Sequence, residues 1–200
     1  MRYLSGAGYP VPEVYDADRR DLVLERLDGT DMLNDLGRRP WLVRRHARTL
    51  ADLHDRLHEI AAPADLPEVP SPAGAPGPVR AVLHMDLHPG NVMLTSRGPV
   101  VIDWVGARAG IAGTDVALAY LIMSTAETDL IPMWLRPVVG PLRAAFCRGF
   151  LAAVRDEPWP HLASAARLRM ADINTRPSEA ARLRRIAERA ESAGGAARAG

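Results

Sequence analysis

The chain has 200 residues and a formal net charge of +1, with 48% hydrophobic and 24% charged residues. This composition is typical of a globular protein with one domain or two small lobes, and the near-neutral charge argues against a nucleic-acid or anionic-membrane partner. The single cysteine, Cys147, cannot form an internal disulfide, and no apolar run is long enough to span a membrane, so we expect a cytoplasmic protein. All 25 basic residues are arginine, which excludes any mechanism that needs a lysine of this sequence.

The N-terminal part predicts a β-hairpin followed by helices. Apolar segments at 11–16 and 22–27 indicate two short strands joined by a polar turn. Thr30 is a candidate N-cap for a short helix that ends at Gly37. Apolar residues then recur at three- and four-residue spacing over 40–60, which predicts a long amphipathic helix. Three histidines of this helix are predicted to be surface or rim residues rather than metal ligands: His46, His54 and His58.

A proline-rich segment at 61–78 shows no periodicity and predicts a loop. A strand is predicted at 79–83. From Thr114 onward the pattern is helical, and the residues after 192 are rich in alanine and glycine and predict a frayed tail. The predicted C-terminal helices cover 114–124, 135–154, 160–171 and 177–191.

The segment 84–91, His-Met-Asp-Leu-His-Pro-Gly-Asn, precedes a second predicted hairpin. Its strands lie at 92–95 and 100–104, and a four-residue turn joins them. Because the two ends of a tight hairpin lie side by side, we expect Asn91 and Asp103 to be neighbours.

Asn91 and Asp103 form a pair of hard oxygen ligands that suits Mg²⁺ better than zinc or copper. Asp86 remains free to accept a proton from an incoming hydroxyl group. Phosphoryl transfer requires a bound cation that neutralises the phosphate charge and a positioned side chain that accepts the hydroxyl proton.

The spacing of His84, Asp86, Asn91 and Asp103 resembles the catalytic and metal-binding loops of the protein-kinase-like superfamily. The sequences His-Pro-Gly-Asn and Val-Ile-Asp-Trp around these residues resemble the aminoglycoside phosphotransferase and choline kinase-like family. Further segments are similar to this family and occur in the expected order: Gly-Tyr-Pro-Val-Pro at 8–12, Glu-Arg-Leu-Asp-Gly at 25–29 and Gly-Thr-Asp-Val-Ala at 113–117.

The resemblance covers residues 8–125 and implies an α+β, protein-kinase-like fold. This fold has a mostly helical C-terminal lobe, here with only a remnant hairpin of the N-terminal lobe. The expected division is a hairpin and hinge at 1–29, a helical lobe with the catalytic and metal-binding loops at 30–192, and a disordered tail at 193–200.

The resemblance also implies an ATP-dependent phosphotransferase that uses Mg²⁺ and acts on a hydroxyl of a small molecule. Asp86 would be the catalytic base, and Asn91 and Asp103 would bind the metal. Backbone groups near Glu25 and Leu27 would contact the adenine of the nucleotide.

Three further residues have supporting roles by the same resemblance. His84 would brace the loop by hydrogen bonding without reacting, and Asp115 would brace it from the following helix. His88 would either lie near the transferred phosphoryl group or pack within the loop.

The sequence departs from the family at its N-terminal side. The family has a phosphate-covering loop, a lysine and a glutamate before its fourth strand, which here begins near Val11. The Gly-Ala-Gly segment at 6–8 has no strand before it and no lysine after it, so we interpret it as a connector. We therefore expect a chain that is N-terminally truncated relative to the family, and one that alone binds magnesium-ATP weakly and turns over slowly or not at all.

Two other functions are open at this stage. One is a non-catalytic, pseudokinase-like remnant that binds a ligand or a partner. The other is a metal-dependent hydrolase with a site made of His84, Asp86 and His88. The charge is +4 over 127–200 and −3 over 1–126, which disfavours a polycationic acceptor on the helical lobe; the sequence does not specify the oligomeric state.

Overall fold

The computed structural model describes residues 1–18, 21–70, 80–125, 133, 136–173 and 175–198. Within these ranges the helices are α1 (Arg2–Gly6), α2 (Met32–Arg38), α3 (Val43–His58), α4 (Ala112–Thr125), α5 (Arg136–Leu151), α6 (Leu162–Met170) and α7 (Pro177–Arg198). The strands are β1 (Val14–Ala17), β2 (Leu22–Leu24), β3 (Gly29–Asp31), β4 (Ala81–Leu83), β5 (Val92–Thr95), β6 (Gly98–Val101) and β7 (Arg108–Gly110). Short 3₁₀ turns lie at Pro40–Leu42, Pro89–Asn91, Trp104–Gly106 and Trp159–His161.

The strands form three small antiparallel sheets, β1-β2, β3-β5-β6 and β4-β7. Both predicted hairpins are present, although the β1-β2 pair is shorter than the predicted strands and residues 19–20 of its turn lie outside the described residues. The predicted strand at 79–83 is β4, and residue 79 also lies outside them. In the β5-β6 hairpin Thr95 pairs with Gly98, so the connection contains two residues rather than four.

The short helix α2 begins one residue later than predicted because the preceding residues form β3, which pairs with β5. Asp31 rather than Thr30 is the N-cap, and its Oδ1 accepts a hydrogen bond from the Asn34 backbone N–H at 2.8 Å. The segment 29–31 therefore joins the N-terminal hairpin directly to the β5-β6 hairpin.

The main core lies around α3, which packs against α5 and β4. The expectation of surface or rim histidines on this helix is wrong, because all three side chains are buried. His46 bonds to Asp35 at 2.8 Å, and His54 bonds to the Leu50 carbonyl oxygen at 2.9 Å. The periodicity identified the buried face through its apolar residues, but histidine is polar and was assigned to the opposite face.

The second core cluster joins α4, α6 and α7. α4 is buried around nearly its whole circumference, which is typical of a central helix. α7 continues to Arg198, past the predicted end at 191. Residues 193–198 of the predicted tail therefore belong to this helix, and residues 199–200 lie outside the described residues.

The first residues pack on the helical part of the molecule. α1 is followed by Gly8, which has a φ of 75° that favours glycine. Tyr9 is buried, and its hydroxyl donates to the Leu53 carbonyl oxygen at 3.0 Å. The Gly-Ala-Gly segment therefore connects a helix turn to a buried tyrosine, as interpreted. Across the described residues, each helix is too short or too polar to cross a membrane.

Candidate active site

The loop 84–91 begins where β4 ends, and a side chain of α4 is hydrogen-bonded to its backbone. The Asp115 carboxylate accepts hydrogen bonds from the His84 N–H at 2.9 Å and from the Met85 N–H at 2.7 Å. Met85 has a φ of 71°, a left-handed conformation that costs of order 1–3 kcal/mol for a non-glycine residue. The two hydrogen bonds stabilise this conformation and thereby fix the direction in which the next residue, Asp86, leaves the backbone.

The His84 ring connects this loop to the β5-β6 hairpin. Its Nε2 donates to the Ile102 carbonyl oxygen at 2.9 Å, and its Nδ1 accepts from the Asp86 N–H at 3.3 Å. Since one nitrogen donates and the other accepts, these bonds select the neutral Nε2–H tautomer. The ring is also packed against Trp104, with centroids 4.5 Å apart.

The Asp86 side chain is 39% exposed and lies among polar groups. The Asn91 Nδ2 donates to the Asp86 backbone oxygen at 2.8 Å and to its Oδ2 at 3.1 Å. The His88 Nε2 lies 3.8 Å from the Asp86 Oδ2. The Nη1 of Arg169, a residue of α6, lies 3.9 Å from the Asp86 Oδ1. The carboxylate is therefore oriented by one amide while it stays accessible to a ligand.

Asn91 and Asp103 leave adjacent strand ends, as the hairpin predicted. The Ile102 N–H donates to the Asn91 carbonyl oxygen at 3.0 Å, and Asp103 follows with a left-handed φ of 63°. Because Asn91 uses its amide nitrogen toward Asp86, its Oδ1 has no hydrogen-bond partner among the described residues. The Asp103 carboxylate is exposed and likewise makes no hydrogen bond or ion pair within those residues. The unused amide oxygen of Asn91 and the unused carboxylate of Asp103 are the kind of oxygen ligands that Mg²⁺ prefers.

His88 is tied to its own loop. Its Nδ1 accepts from the Gly90 N–H at 3.0 Å, which leaves the proton on Nε2, the nitrogen nearer to Asp86. Burial lowers the pKa of His88 below its ordinary value, and an Nδ1 that accepts a hydrogen bond requires a neutral ring. A Cβ at Gly90 would lie 2.8 Å from the His88 Cε1, so a glycine is needed at this position for the ring to fold back over the turn.

On the side of the loop that faces α4, the buried Asp115 belongs to a charge network that also contains the buried His58 and the partly exposed Asp156. Its Oδ2 lies 3.2 Å from the His58 Nε2, and the His58 Nδ1 lies 2.9 Å from the Asp156 Oδ2. Burial alone would lower the pKa of His58, but the two carboxylates outweigh it and raise the pKa to about 9. Burial would raise the pKa of Asp115, yet the hydrogen bond and charge of His58 hold it well below its ordinary value. An imidazolium between two carboxylates therefore supports the loop at neutral pH.

Glu25 contacts the turn of the β5-β6 hairpin, which is the end of that hairpin opposite to Asn91 and Asp103. The Glu25 N–H donates to the Glu13 carbonyl oxygen at 2.8 Å, and the Glu25 carboxylate is bonded to Arg97 at the turn between β5 and β6. The Arg97 hydrogen bond lowers the pKa of Glu25. Among the described residues, neither Glu25 nor Leu27 bonds directly to Asp86, Asn91 or Asp103. The structure thus brings the other six predicted residues into one region, and within the described part of the chain no hydrogen bond joins this pair to them.

Sequence reasoning missed Arg169 and His58. Arg169 is one of 12 arginines after residue 126, and nothing in its helical spacing distinguishes it from its solvent-exposed neighbours. His58 was noticed but assigned to the surface. Only the packing of α3 and α6 against the loop reveals either contact.

The alternative zinc site of a hydrolase has no geometric basis. His84 uses both ring nitrogens in bonds to backbone groups, and His88 uses Nδ1. Within the part of the chain that the structure describes, no three histidine, cysteine, aspartate or glutamate side chains converge as a metal site.

Comparisons with known proteins show which family and which folds the chain is similar to. Residues 63–161 match the phosphotransferase enzyme family. Similar solved structures include a thermostable mutant of aminoglycoside phosphotransferase APH(4)-Ia in its apo form, with 14% identity, a TM-score of 0.62, and coverage of 96% of this chain and 80% of that one. The amicoumacin kinase hAmiN in complex with AMP-PNP, Ca²⁺ and Ami is similar at 16% identity, with a TM-score of 0.55 and coverage of 96% of this chain and 75% of that one.

A choline/ethanolamine kinase family protein from Mesorhizobium loti is similar at 13% identity, with a TM-score of 0.50 and coverage of 96% of this chain and 76% of that one. The comparison with curated proteins gave no match. The structural similarity establishes the protein-kinase-like α+β fold, and with it the predicted fold class is confirmed. Residues 63–161 of the chain are thus similar to the phosphotransferase enzyme family, and the chain has the fold of the kinases and phosphotransferases to which it is structurally similar.

Proposed function

We propose that the chain transfers the γ-phosphoryl group of ATP to a hydroxyl group of a small molecule. The observation that carries this proposal is the arrangement around Asp86. One side-chain amide orients an accessible carboxylate, and the remaining oxygen of that amide has no hydrogen-bond partner among the described residues. Asp103 directly follows Ile102, whose N–H is bonded to the Asn91 carbonyl oxygen. This arrangement provides a proton acceptor beside a divalent-cation site.

In the proposed reaction Asp86 accepts the proton of the acceptor hydroxyl while the hydroxyl oxygen forms a bond to the γ-phosphorus. The bond between that phosphorus and the β–γ bridging oxygen breaks, and ADP leaves. Asn91 holds Asp86 in the orientation that this proton transfer needs, and His84 holds the backbone of Asp86 against the hairpin.

Asn91 and Asp103 are the residues that would bind Mg²⁺ through the Oδ1 atom and the carboxylate. When bound, the cation supplies charge stabilisation for the phosphate oxygens. His88 presents an Nε2–H on the same side of the loop as the Asp86 carboxylate, where it can donate a hydrogen bond to a phosphate oxygen. Asp115 acts through the backbone of the loop and touches no substrate.

We propose that the chain divides functionally at Gly29. Residues 1–29 would contact the adenine through the backbone of Glu25 and Leu27, and residues 30–192 would carry the catalysis. The backbone of Leu27 makes no hydrogen bond among the described residues, so its N–H and C=O groups are available to a purine.

The test measures binding of AMP-PNP by calorimetry with and without Mg²⁺, followed by ATP turnover with a panel of hydroxylated acceptors. We expect Asp103→Asn and Asn91→Ala to remove the Mg²⁺-dependent part of binding. We expect Asp86→Asn to retain that binding but to lower turnover about 10²- to 10⁴-fold. Asp52→Asn, on the exposed side of α3, is the matched control and should change neither quantity.

The outcomes separate the proposal from its main alternative. Binding of AMP-PNP that does not depend on Mg²⁺ or on Asp103 would contradict the proposed metal site. Mg²⁺-dependent binding without turnover of any acceptor would support the pseudokinase-like function instead.

A further inference from the structure

A cavity of about 240 Å³ lies next to the candidate catalytic loop. One wall is the segment 67–70, which is bonded to β7 through the Val69 N–H and the Ala109 N–H at 2.8 Å each. The floor is apolar and consists of side chains from the loop, α4 and α6: Met85, Leu118 and Leu168. Arg169 also lines the cavity, and its Nη1 lies 3.9 Å from Asp86, so the cavity is one side chain away from the proposed base.

Four charged side chains line this cavity, and three of them are matched by carboxylate–guanidinium pairs. Glu68 is paired with Arg80. Asp172 is paired with Arg169 at 3.3 Å, and Arg169 also donates to Glu179 at 3.1 Å. These contacts hold both acids and Arg169 in place.

Arg108 is the fourth charged group and differs from the others. Its Nη1 donates to the Ala107 carbonyl oxygen at 2.8 Å and to the Gly106 carbonyl oxygen at 3.4 Å. Its Nε and Nη2 have no partner among the described residues, and no carboxylate of those residues pairs with it. The guanidinium is half-buried, so it is anchored by one nitrogen while the other two remain available.

We propose that this cavity is the acceptor site and that it selects a compact acceptor with an anionic group, such as a carboxylate, which binds Arg108. A guanidinium with two free N–H-bearing nitrogens binds a carboxylate through two parallel hydrogen bonds. The apolar floor accommodates the carbon skeleton, and the acceptor hydroxyl lies at the Arg169 end of the cavity, toward Asp86. The cavity volume is smaller than the roughly 300 Å³ of the smallest pockets that hold drug-sized ligands. This volume favours a small acceptor. This inference rests on the proposed function for the role of the hydroxyl but not for the binding of the anion.

The test uses three probes with the same aromatic framework and the same hydroxymethyl group. These are 4-(hydroxymethyl)benzoate, the neutral 1,4-benzenedimethanol and the cationic 4-(aminomethyl)benzyl alcohol. Binding is measured by NMR titration on the full chain without nucleotide, with the arginine Nε–H signals observed directly. We expect the anionic probe to bind at least about tenfold more tightly than the neutral one, and to shift the Nε–H signal of Arg108.

Variants locate the preference. Arg108→Gln should abolish the difference in affinity between the anionic and neutral probes. Arg108→Lys should retain part of this difference, because lysine keeps the positive charge but cannot form the two parallel hydrogen bonds of a guanidinium. Arg167→Gln is the matched control, since Arg167 lies on α6 close to Arg169 but is exposed and bonded to Glu191. It should leave all three affinities unchanged.

Three results would overturn the inference: no probe binds, the neutral or cationic probe binds as tightly as the anionic one, or the anion preference survives Arg108→Gln. If Arg108→Gln does not fold, the Arg108→Lys affinities and the wild-type Nε–H shift decide the question. Because nucleotide is absent from this experiment, its failure leaves the proposed phosphoryl transfer standing. Conversely, a failure of Mg²⁺-dependent AMP-PNP binding leaves the anion site intact.

Discussion

The loop 84–91 and the β1-β2 hairpin are both short segments of the chain, but they are supported very differently. The loop rests on a buried network in which Asp115 alone accepts two backbone hydrogen bonds and contacts the His58 imidazolium. The hairpin has two strands, open edges, and large apolar side chains that are about half exposed: Tyr15, Leu22 and Val23. Two-stranded hairpins are marginal in isolation. The contrast indicates that the helical part of the molecule supports the loop 84–91, whereas the β1-β2 hairpin contributes little to that support.

The largest effect should come from the centre of the network. Asp115→Asn replaces one acceptor oxygen by an NH₂ group that faces a backbone N–H or the His58 imidazolium. Removing one partner of a buried charge pair costs about 3–5 kcal/mol, and we expect a loss of this size in the free energy of unfolding, measured with urea. The exposed variant Asp52→Asn should change it by less than about 0.5 kcal/mol. Equal stabilities for the two variants would show that the network does not support the fold.

The second prediction concerns pH. The pKa of His58 is raised from 6.5 to about 9 in the folded state, so its contribution is complete below 6.5 and is lost as the pH rises through 9. The full contribution is about 3 kcal/mol. Burial lowers the pKa of His54 to about 4, so stability is also lost as the pH falls from 6.5 toward 4. The neighbouring groups that determine this profile are Asp115, Asp156 and His84.

Unfolding curves between pH 4 and 9.5 should therefore give a maximum near neutrality. His58→Gln should flatten the alkaline side of this profile and leave the acidic side in place. An alkaline decrease that persists in His58→Gln would assign it to another group.

A third prediction tests how tightly the loop 157–161 packs on α4. A Cβ on Gly113 would lie 2.5 Å from the His161 Cδ2 and 2.6 Å from the Glu157 carbonyl oxygen. Gly113→Ala should cost about 1–3 kcal/mol of unfolding free energy, as overpacking usually does. At Gly37 in α2 a Cβ would meet nothing within 4 Å, so Gly37→Ala should be neutral or stabilising by up to about 1 kcal/mol. Equal changes in the free energy of unfolding for the two substitutions would contradict the close packing of the loop 157–161 on α4.

What the sequence predicted correctly is local. The hairpin that brings Asn91 beside Asp103 follows from a short turn between two apolar strands, and this geometry needs no information from distant residues. The support of the loop is not local, because His58 and Asp156 are separated by 98 residues and meet only when α3 packs against the segment after α5. For the same reason Arg169 could not be distinguished from the other arginines of its helix. Burial of polar groups depends on tertiary packing, which periodicity does not report.

The smallest effect is expected on the exposed face of the β1-β2 hairpin. Threonine has nearly the shape and β-propensity of valine, so Val23→Thr should change the free energy of unfolding by less than about 0.5 kcal/mol. The matched substitution Val101→Thr, at a buried position of β6, should cost about 1–3 kcal/mol because the hydroxyl is placed in an apolar environment. If Val23→Thr costs as much as Val101→Thr, the hairpin face must be covered in solution. The loss should then depend on protein concentration, which sedimentation of the wild-type chain would detect as self-association.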